Sequence, residues 1–467
     1  MENPVYRYSG ISGLKRKCFT AFIVAPLVLF SGSSVFANEL STQQPLTLNN
    51  SIALAVSEDV WLMSNRHKQL SLQNQAEAAD SYDDPKVSIS LVNMPTDSWT
   101  LDQEAMSQFK VGIVQTIPRG DSATLKKQGL SLEANRQSTI RQARKAELAM
   151  LVSKSWLDYY FVTQKISIIE QNKAIAQQLS SVVEDAYRSA IGGARQQDLL
   201  SMQIKLLELD DDKLNAQTEL KRIGAQLNRL IGRPSESSLV ITDELPNLVL
   251  NQALKNDVFG DSGHIGDSQR QVYANKEVYL ASLLENHPLV LSSTQQVKVA
   301  QSKVELAKQA YKPQWQMNAS YGFRENSPSG VERPDFFSIG VTFDLPLFTD
   351  SKQDNYVASE RSEKNRIKTQ KLLLVQNLMS QLTQSWQTLK MLEQRKSIYQ
   401  TRWLNLTSQQ SEASLADYSN DNGNILDVLR SRMTENNTQL AALSIDISRL
   451  KTIAEINYFL VGANNGN

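Results

Sequence analysis

The sequence predicts a mostly helical α+β protein in which one unit of helices and two strands occurs twice. Glycine and proline are few, 19 and 13 of 467 residues, and they separate long stretches with the composition of long helices. Apolar residues recur in these stretches at alternating steps of three and four. Two short segments with alternating apolar and polar residues recur about 228 residues apart, which indicates an internal duplication.

The first 37 residues have the features of an export signal. A basic cluster at 15–17 precedes the apolar run "FTAFIVAPLVLF", and "VFA" at 35–37 ends in small residues of the kind that precede a cleavage site. The run of about 12 residues is too short to cross a bilayer as a helix. An N-terminal membrane anchor is the alternative, but the flanking residues favour cleavage. We therefore expect residues 1–37 to be a signal peptide and Asn38 to begin the mature chain.

Charge and cysteine content exclude several classes of function. The chain balances 49 basic against 49 acidic residues, and removal of the signal leaves a mature chain about three charges negative. Such a chain has no electrostatic basis for binding nucleic acid. The single cysteine, Cys18, leaves with the signal, so no disulfide is expected. No HExxH, GxSxG, GxGxxG or Walker motif occurs, and we expect neither an enzyme nor a bound cofactor or metal.

The helical stretches contain four coiled-coil seams. Alternating steps from Leu148 to Tyr187 and from Leu206 to Leu230 meet mostly apolar residues. The second half has matching seams, from Leu429 to Ala454 and through Leu378, Leu382, Ser385, Leu389, Leu392, Lys396, Tyr399, Trp403 and Leu406. Prolines mark where helix gives way to strand. The helices are expected at about 46–84, 120–190, 196–231, 276–311, 350–418 and 425–461.

The duplication is visible in both strands and helices. "FKVGIVQTIP" begins at Phe109 and "FSIGVTFDLP" begins at Phe337, 228 residues later. The pairs Trp156 with Trp386 and Gly232 with Gly462 are each 230 residues apart. This spacing predicts a first repeat at 38–232, an equatorial linker at 233–275, a second repeat at 276–462 and a C-terminal tail at 463–467.

The strand segments alternate between apolar and polar residues. They are expected at about 86–94, 108–117, 314–324 and 336–345. Segments of about 10 residues with this pattern are typical of outer-membrane strands, which face lipid on one side and water on the other. An antiparallel sheet covered on one face by the protein's own helices has the same pattern, so the pattern leaves both interpretations open.

The helices have no apolar face left to cover the strands, which favours the membrane interpretation. The helices already use their apolar faces in the four seams, and aromatic residues such as Trp99 and Phe348 occur near strand ends, as in a membrane girdle. Four strands are too few to close a barrel, whose observed minimum is about eight, so partner subunits are required. The polar face, with Lys110, Ser338, Thr342 and Asp344, would then line the lumen. The expected lipid-facing residues are Trp315, Tyr321, Phe323, Phe337, Ile339, Val341 and Phe343.

With these features the chain resembles the TolC family of outer-membrane efflux proteins. The resemblance covers the mature chain and is most specific in the paired strands, in "VTFDLPLF" (341–348), and in "YRSAIGGARQQDLL" (187–200) and "YSNDNGNILDVL" (418–429). It implies a homotrimer with a 12-strand barrel in the outer membrane and a helical barrel in the periplasm. It also implies docking to a periplasmic membrane-fusion adaptor and an inner-membrane pump that exports metal ions or drugs. "LPLF" is similar to the heavy-metal branch.

Glycines mark the two reversals between long helices. Gly192, Gly193 and Gly423 can adopt the positive backbone angles of a tight turn, and a simple helix C-cap would need no more. The resemblance implies that these tips dock the adaptor, and the family's docking positions correspond to Ile191 and Gly192. Asp421 stands where the family usually has glycine, which weakens the correspondence in the second half.

Two aspartates follow the helix reversals. In an oligomer, Asp198 and Asp427 would form rings of carboxylates that attract cations. Acidic residues also stabilise helix N-termini, and this second interpretation stays open. The resemblance places Asp427 in an acidic constriction and Tyr418 near the gate. This chain has Gly423 where some family members have a basic gate residue, and Arg430 where they have an acidic one. We therefore expect fewer ionic links at the gate.

Two other interpretations are weaker. "GDSGHIGD" at 260–267 places Asp261, His264 and Asp267 in one glycine-rich loop, but such a loop does not fix a metal geometry, and an equatorial linker explains it better. A periplasmic coiled-coil adaptor or scaffold with a soluble sheet is the alternative to a channel. The two differ in whether the apolar face of the sheet is covered by the chain's own helices.

Overall fold

The computed structural model describes residues 45–189, 195–251, 278–420 and 423–463. The expected signal peptide therefore lies outside the described residues. From Pro45 onward the chain forms one unit. Its elements in order are α1 (Leu48–Glu58), α2 (Val60–Ala79), β1 (Lys86–Val92), β2 (Gln108–Ile117), α3 (Ser122–Ser189), α4 (Gln196–Leu230), α5 (described over 278–285), α6 (Pro288–Lys308), β3 (Trp315–Phe323), β4 (Phe336–Phe343), α7 (Gln353–Ile398), a π-helical turn (Tyr399–Trp403), α8 (Leu404–Ser419) and α9 (Ile425–Phe459).

The helix before each strand pair is broken in two, where the sequence predicts one continuous helix. In the first half the Asp59 carboxylate accepts a hydrogen bond from the backbone N–H of Leu62 at 3.2 Å and begins α2. In the second half the Nδ1 atom of His287 accepts from the N–H of Leu289 at 3.3 Å and begins α6. These caps are 228 residues apart. Their side chains compete with the helical backbone for its N–H groups, and Pro288 adds a preference for a helix start.

The four strands form one antiparallel sheet in chain order, β1–β2–β3–β4. The pairing of Lys110 with Gly322 in β2 and β3 joins the two halves of the chain. Each strand lies within about two residues of the range predicted from the sequence. Within the described part of the chain, the outer edges of β1 and β4 have no strand partner, so the sheet stays open.

The helices pack side by side around α3, which spans 68 residues. Near the sheet, α3 lies between α2 and α6, and α6 packs against α7. Away from the sheet, α3 lies between α4 and α9, and α9 packs against α7 and α8. The outer helices of this arrangement are therefore α2 and α4 on one side and α7 and α8 on the other.

The predicted seams form the cores between these helices. Val162, Ile169, Ala176 and Val183 of α3 are buried with residues of α4 and α9 in one cluster. Trp156 lies fully buried in a second cluster, and its Nε1–H donates to the Leu46 carbonyl at 3.0 Å. The apolar residues of the α3 seam are thus buried within the single chain.

One predicted seam is wrong beyond Lys396. Leu392 is buried as predicted, but Trp403 and Leu406 are 48% and 62% exposed, and Thr407 and Ser411 take the buried positions. The π-helical turn at Tyr399–Trp403 causes the change, because it inserts one extra residue into the seven-residue pattern.

Candidate functional site

Most apolar residues of the four strands lie on one face of the sheet, and Val92, Val114 and Phe336 lie on the other. The register places Phe109 opposite Phe323, Tyr321 opposite Phe337, and Trp315 opposite Phe343. Phe337 and Ile339 are 71% and 73% exposed, and no helix in the described part of the chain covers this face. We call this surface the apolar band: it consists of Val87, Ile89, Leu91, Phe109, Val111, Ile113, Trp315, Met317, Ala319, Tyr321, Phe323, Phe337, Ile339, Val341 and Phe343.

The apolar band has aromatic residues at its two ends and aliphatic residues between them. At the end nearest the helices, the rings of Trp315 and Phe343 lie 4.7 Å apart. The middle row runs across the strands from Ile113 through Ala319 to Ile339. The far rows contain Phe109, Tyr321, Phe323 and Phe337. Aromatic belts around an aliphatic centre match the two interfaces and the hydrocarbon core of a bilayer.

The opposite face of the sheet is largely polar and carries small residues, a feature not predicted from the sequence. Ser88, Gly112, Ser320 and Ser338 form one row across all four strands. A Cβ at Gly112 would lie 2.8 Å from the Ser88 hydroxyl oxygen, so a side chain there would require that hydroxyl to move. Gly322 and Gly340 belong to the same face, whereas the apolar band contains no glycine. The detectable signal was that every strand glycine falls in the polar phase of the alternation.

Asp344 anchors the sheet to the helices. Its carboxylate accepts from the backbone N–H of Gln314 at 2.6 Å and forms an ion pair with Arg119, just before α3. Arg119 also donates to the Lys312 carbonyl at 3.2 Å. From the sequence, Asp344 is expected to face the lumen, but in the single chain its carboxylate joins the end of β4 to the start of β3. Lys110, Ser338 and Thr342 lie on the polar face.

The two aspartates predicted to line the gate make local bonds at helix starts. Asp198 lies in the first turn of α4 and accepts from the Arg195 N–H at 3.0 Å. Asp427 lies in the first turn of α9 and pairs with Arg430 at 2.7 Å. Both carboxylates therefore have the stabilising helix-start position that the sequence left open as an alternative. Tyr418 is half-buried near the end of α8.

Of the predicted docking tips, only Gly423 lies within the described residues; Ile191, Gly192, Gly193 and Asp421 lie outside them. Gly423 does not adopt the positive φ that the sequence analysis expects. It is needed for another reason: a Cβ there would lie 2.8 Å from the backbone nitrogen of Tyr418. The reversal thus packs directly on the end of α8, and a larger residue at 423 would separate the two.

Among the described residues, no group of three or more His, Cys, Asp or Glu side chains is arranged to hold a metal ion. The loop with Asp261, His264 and Asp267 lies outside them. None of the helices in the described ranges is long and apolar enough to cross a membrane.

The fold is that of known channel proteins. The chain matches CusC, a protein whose crystal structures show conformational changes that accompany folding and transmembrane channel formation. The identity is 14% over 90% of this chain and 95% of that one, and the TM-score is 0.67. It matches the Campylobacter jejuni CmeC outer membrane channel at 12% identity over 89% and 86%, with a TM-score of 0.66. The open state of the Neisseria gonorrhoeae MtrE outer membrane channel matches at 14% identity over 89% of each chain, with a TM-score of 0.64.

No family model and no curated protein sequence matches the chain. At the identities of the structural matches, the likeness concerns the fold. The TolC-like fold with long helices and a four-stranded sheet, which the sequence predicts, is confirmed.

Proposed function

We propose that this chain is an outer-membrane channel of the TolC type, a homotrimer that serves as a passive exit duct in a tripartite efflux system. An inner-membrane pump delivers the substrate, and a periplasmic membrane-fusion adaptor connects pump and channel. The uncovered apolar band carries the proposal. CmeC and MtrE, which share the fold, are outer membrane channels.

The sheet has the surfaces of one third of a barrel. Its apolar band would contact lipid, and its polar face of small residues would surround water. Among the described strands, β1 and β4 have unpaired outer edges, and edges exposed within a membrane must be paired because lipid offers no hydrogen bonds. Three copies would supply 12 strands and pair every edge, β4 of one copy with β1 of the next.

The helices have the length that a duct through the periplasm requires. At 1.5 Å per residue, the 68 residues of α3 extend for roughly 100 Å. The outer helices of the packed layer, α2 and α4 on one side and α7 and α8 on the other, have no neighbouring helix on their outer side within the described ranges. Cyclic symmetry would bring these two sides together and close a helical barrel below the membrane.

The gate and docking residues follow from the same arrangement. Asp198 and Asp427 would form carboxylate rings near the periplasmic opening, with Tyr418 beside them. Ile191, Gly192, Gly193, Asp421 and Gly423 would form the tips that receive the adaptor. The Asp427–Arg430 pair lies within one helix, which supports a gate with few ionic links between helices. The repeat boundaries predicted from the sequence give each repeat one strand pair and one helix reversal.

A periplasmic adaptor or scaffold with a soluble sheet fits the structure less well. That function requires helices to cover the apolar face, and the described helices leave Phe337 and Ile339 exposed. Such an apolar patch in water is an aggregation liability.

Membrane fractionation combined with electrophoresis tests the proposal. The channel should sediment with the outer membrane, need detergent for release, run as a trimer that dissociates on heating, and conduct ions in a planar bilayer. Release by salt alone, or a monomer without conductance, would contradict it. Growth of a deletion strain on copper, cobalt, zinc and detergents would identify the substrate class, with metal ions first because of the "LPLF" similarity.

A further inference from the structure

Two outer helices of the described chain carry apolar stripes that face away from their own neighbours. On α4, Met202, Leu209 and Ala216 are buried, so the opposite side of the helix points outward. That side carries an exposed stripe with steps of four and three. We call it the α4 stripe: Leu200, Ile204, Leu207, Asp211 and Leu214.

The second stripe crosses the π-helical turn. Met391 and Ile398 are exposed on one flank of α7, and Leu406 of α8 continues the same flank eight residues later. Eight is one heptad plus the residue that the turn inserts. We call it the α7–α8 stripe: Met391, Arg395, Ile398, Arg402 and Leu406. Without the extra residue, Leu406 would fall in the buried seam, as the heptad count predicts.

Contacts within the chain bring the two stripes to the same height. Lys396 of α7 pairs with Asp446 of α9 at 2.7 Å. Because α9 runs antiparallel to α7 and α8, ten residues further along in each direction places Leu406 level with Asn436. Asn436 donates a hydrogen bond to Asn172 of α3. The ion pair between Lys213 and Glu170, at 2.9 Å, sets the register of α3 on α4 and places Asn172 level with Asp211. Leu406 and the middle of the α4 stripe are therefore at about the same level.

The charges in the middle of the two stripes are opposite. Arg402 lies about one helical turn, roughly 5 Å, from the level of Asp211, which is within reach of an arginine side chain. Among the described residues, Arg402 forms no ion pair, and Asp211 accepts only from the Asn215 amide, at 3.0 Å. Neither charge is therefore paired with an opposite charge in the part of the chain that the structure describes, and each would find one on the other stripe.

We propose that the α4 stripe of one copy packs against the α7–α8 stripe of the next copy, with an ion pair between Asp211 and Arg402. The π-helical turn makes this contact possible, because it removes Leu406 from the intrachain seam and turns it toward the neighbour. Cyclic symmetry preserves height, so matching levels in one chain also match between chains. This inference rests on the proposed trimer and assigns its helical interface.

Charge reversal with rescue tests the ion pair. Asp211→Arg and Arg402→Asp should each shift the dissociation temperature of the detergent-solubilised oligomer downward, and the double variant should recover most of the loss. Glu412→Arg, an equal charge change on α8 outside the stripe, should leave that temperature unchanged. Equal heat stability of both single variants and the parent would overturn the ion pair.

A pair of leucine substitutions tests the role of the π-helical turn. Leu406 and Leu415 are both exposed on α8, but only Leu406 belongs to the stripe. Leu406→Gln should weaken the oligomer and Leu415→Gln should not, with helix content by circular dichroism unchanged in both. If both substitutions weaken the oligomer equally, the proposed interface is wrong. In that case a parent chain that is trimeric and membrane-bound would still leave the proposed function intact. A parent chain that is monomeric in detergent would overturn both proposals.

Discussion

Gly462, just after α9, lies directly against the backbone carbonyl of Asn286, the residue before the α6 cap. A Cβ at 462 would lie 2.5 Å from that oxygen, and the glycine has φ +92°. The first half repeats the relationship: Gly232, with φ +72°, would place a Cβ 2.4 Å from the Cβ of Glu58, the residue before the α2 cap. In both repeats, a glycine that ends the last helix packs on the break in the first helix.

Gly462→Ala should destabilise the helical region by about 1–3 kcal/mol, because it adds backbone strain and a contact too close for a carbon atom. Denaturant unfolding followed by circular dichroism would measure the loss. Gly462→Asn separates the two causes, since asparagine tolerates positive φ but still has a Cβ. We expect Asn to be nearly as harmful as Ala; recovery of parent stability with Asn would show that the close contact does not matter.

Acidification should destabilise the folded structure at the junction between α5 and α6. His287 is fully buried, and burial lowers the pKa of its imidazole to about 4, although the Tyr458 backbone favours the charged form. The unfolded chain binds this proton at its ordinary pKa of 6.5, so stability is complete above pH 6.5 and falls as the pH drops toward 4. The loss from this group should approach about 3 kcal/mol.

His287→Asn provides the matched control for that pH dependence. Asparagine can still accept from the Leu289 N–H at the helix start, but it does not titrate. Unfolding midpoints measured between pH 7.5 and pH 4.5 should fall more steeply for the parent than for the variant. Parallel curves for the two proteins would mean that His287 does not control acid stability.

An arginine should have different effects on assembly when it is placed on the two faces of β4. Ile339 lies in the middle of the apolar band, and Ser338 lies on the polar face beside it. Ile339→Arg should reduce the amount of folded protein in the outer membrane, at a cost of about 2–4 kcal/mol per chain for arginine in lipid. Ser338→Arg should assemble and instead change single-channel conductance. Equal assembly of the two variants would place Ile339 away from lipid.

Neutralising Asp198 should lower the preference of the channel for cations, if three copies form a carboxylate ring. Ion selectivity in planar bilayers would measure it for Asp198→Asn and for Asp427→Asn. Asp198→Glu is the control, because it keeps both the charge and an acceptor at the start of α4. Unchanged selectivity in Asp198→Asn would restrict this residue to capping the helix.

Sequence patterns predict the strands well because a single alternation fixes which face each residue occupies. Phe337 and Ile339 could be assigned to the apolar side for this reason, and the register confirms their common face. The pattern also finds the seam of α3, since apolar residues at steps of three and four, such as Val162 and Ile169, must meet the same neighbours.

Other features follow from contacts that the chain makes only after folding. Leu406 continues the heptad count, so nothing in that pattern reveals the extra residue of the π-helical turn. Asp59 and His287 look like ordinary helix residues until their side chains bind backbone N–H groups. Gly423 needs its small size because of the nearby backbone of Tyr418, a contact that residue spacing alone does not indicate.

The mass of the purified assembly, combined with labelling of a cysteine at Ile339, tests the central claim most directly. The mature chain is expected to contain no cysteine, so Ile339→Cys gives a single reporter on the apolar band. We predict three copies in detergent, with the cysteine labelled by membrane-soluble thiol reagents and protected from charged ones in intact outer membranes. A water-soluble monomer in which charged reagents reach this cysteine freely, or in which it is buried against the chain's own helices, would contradict the account.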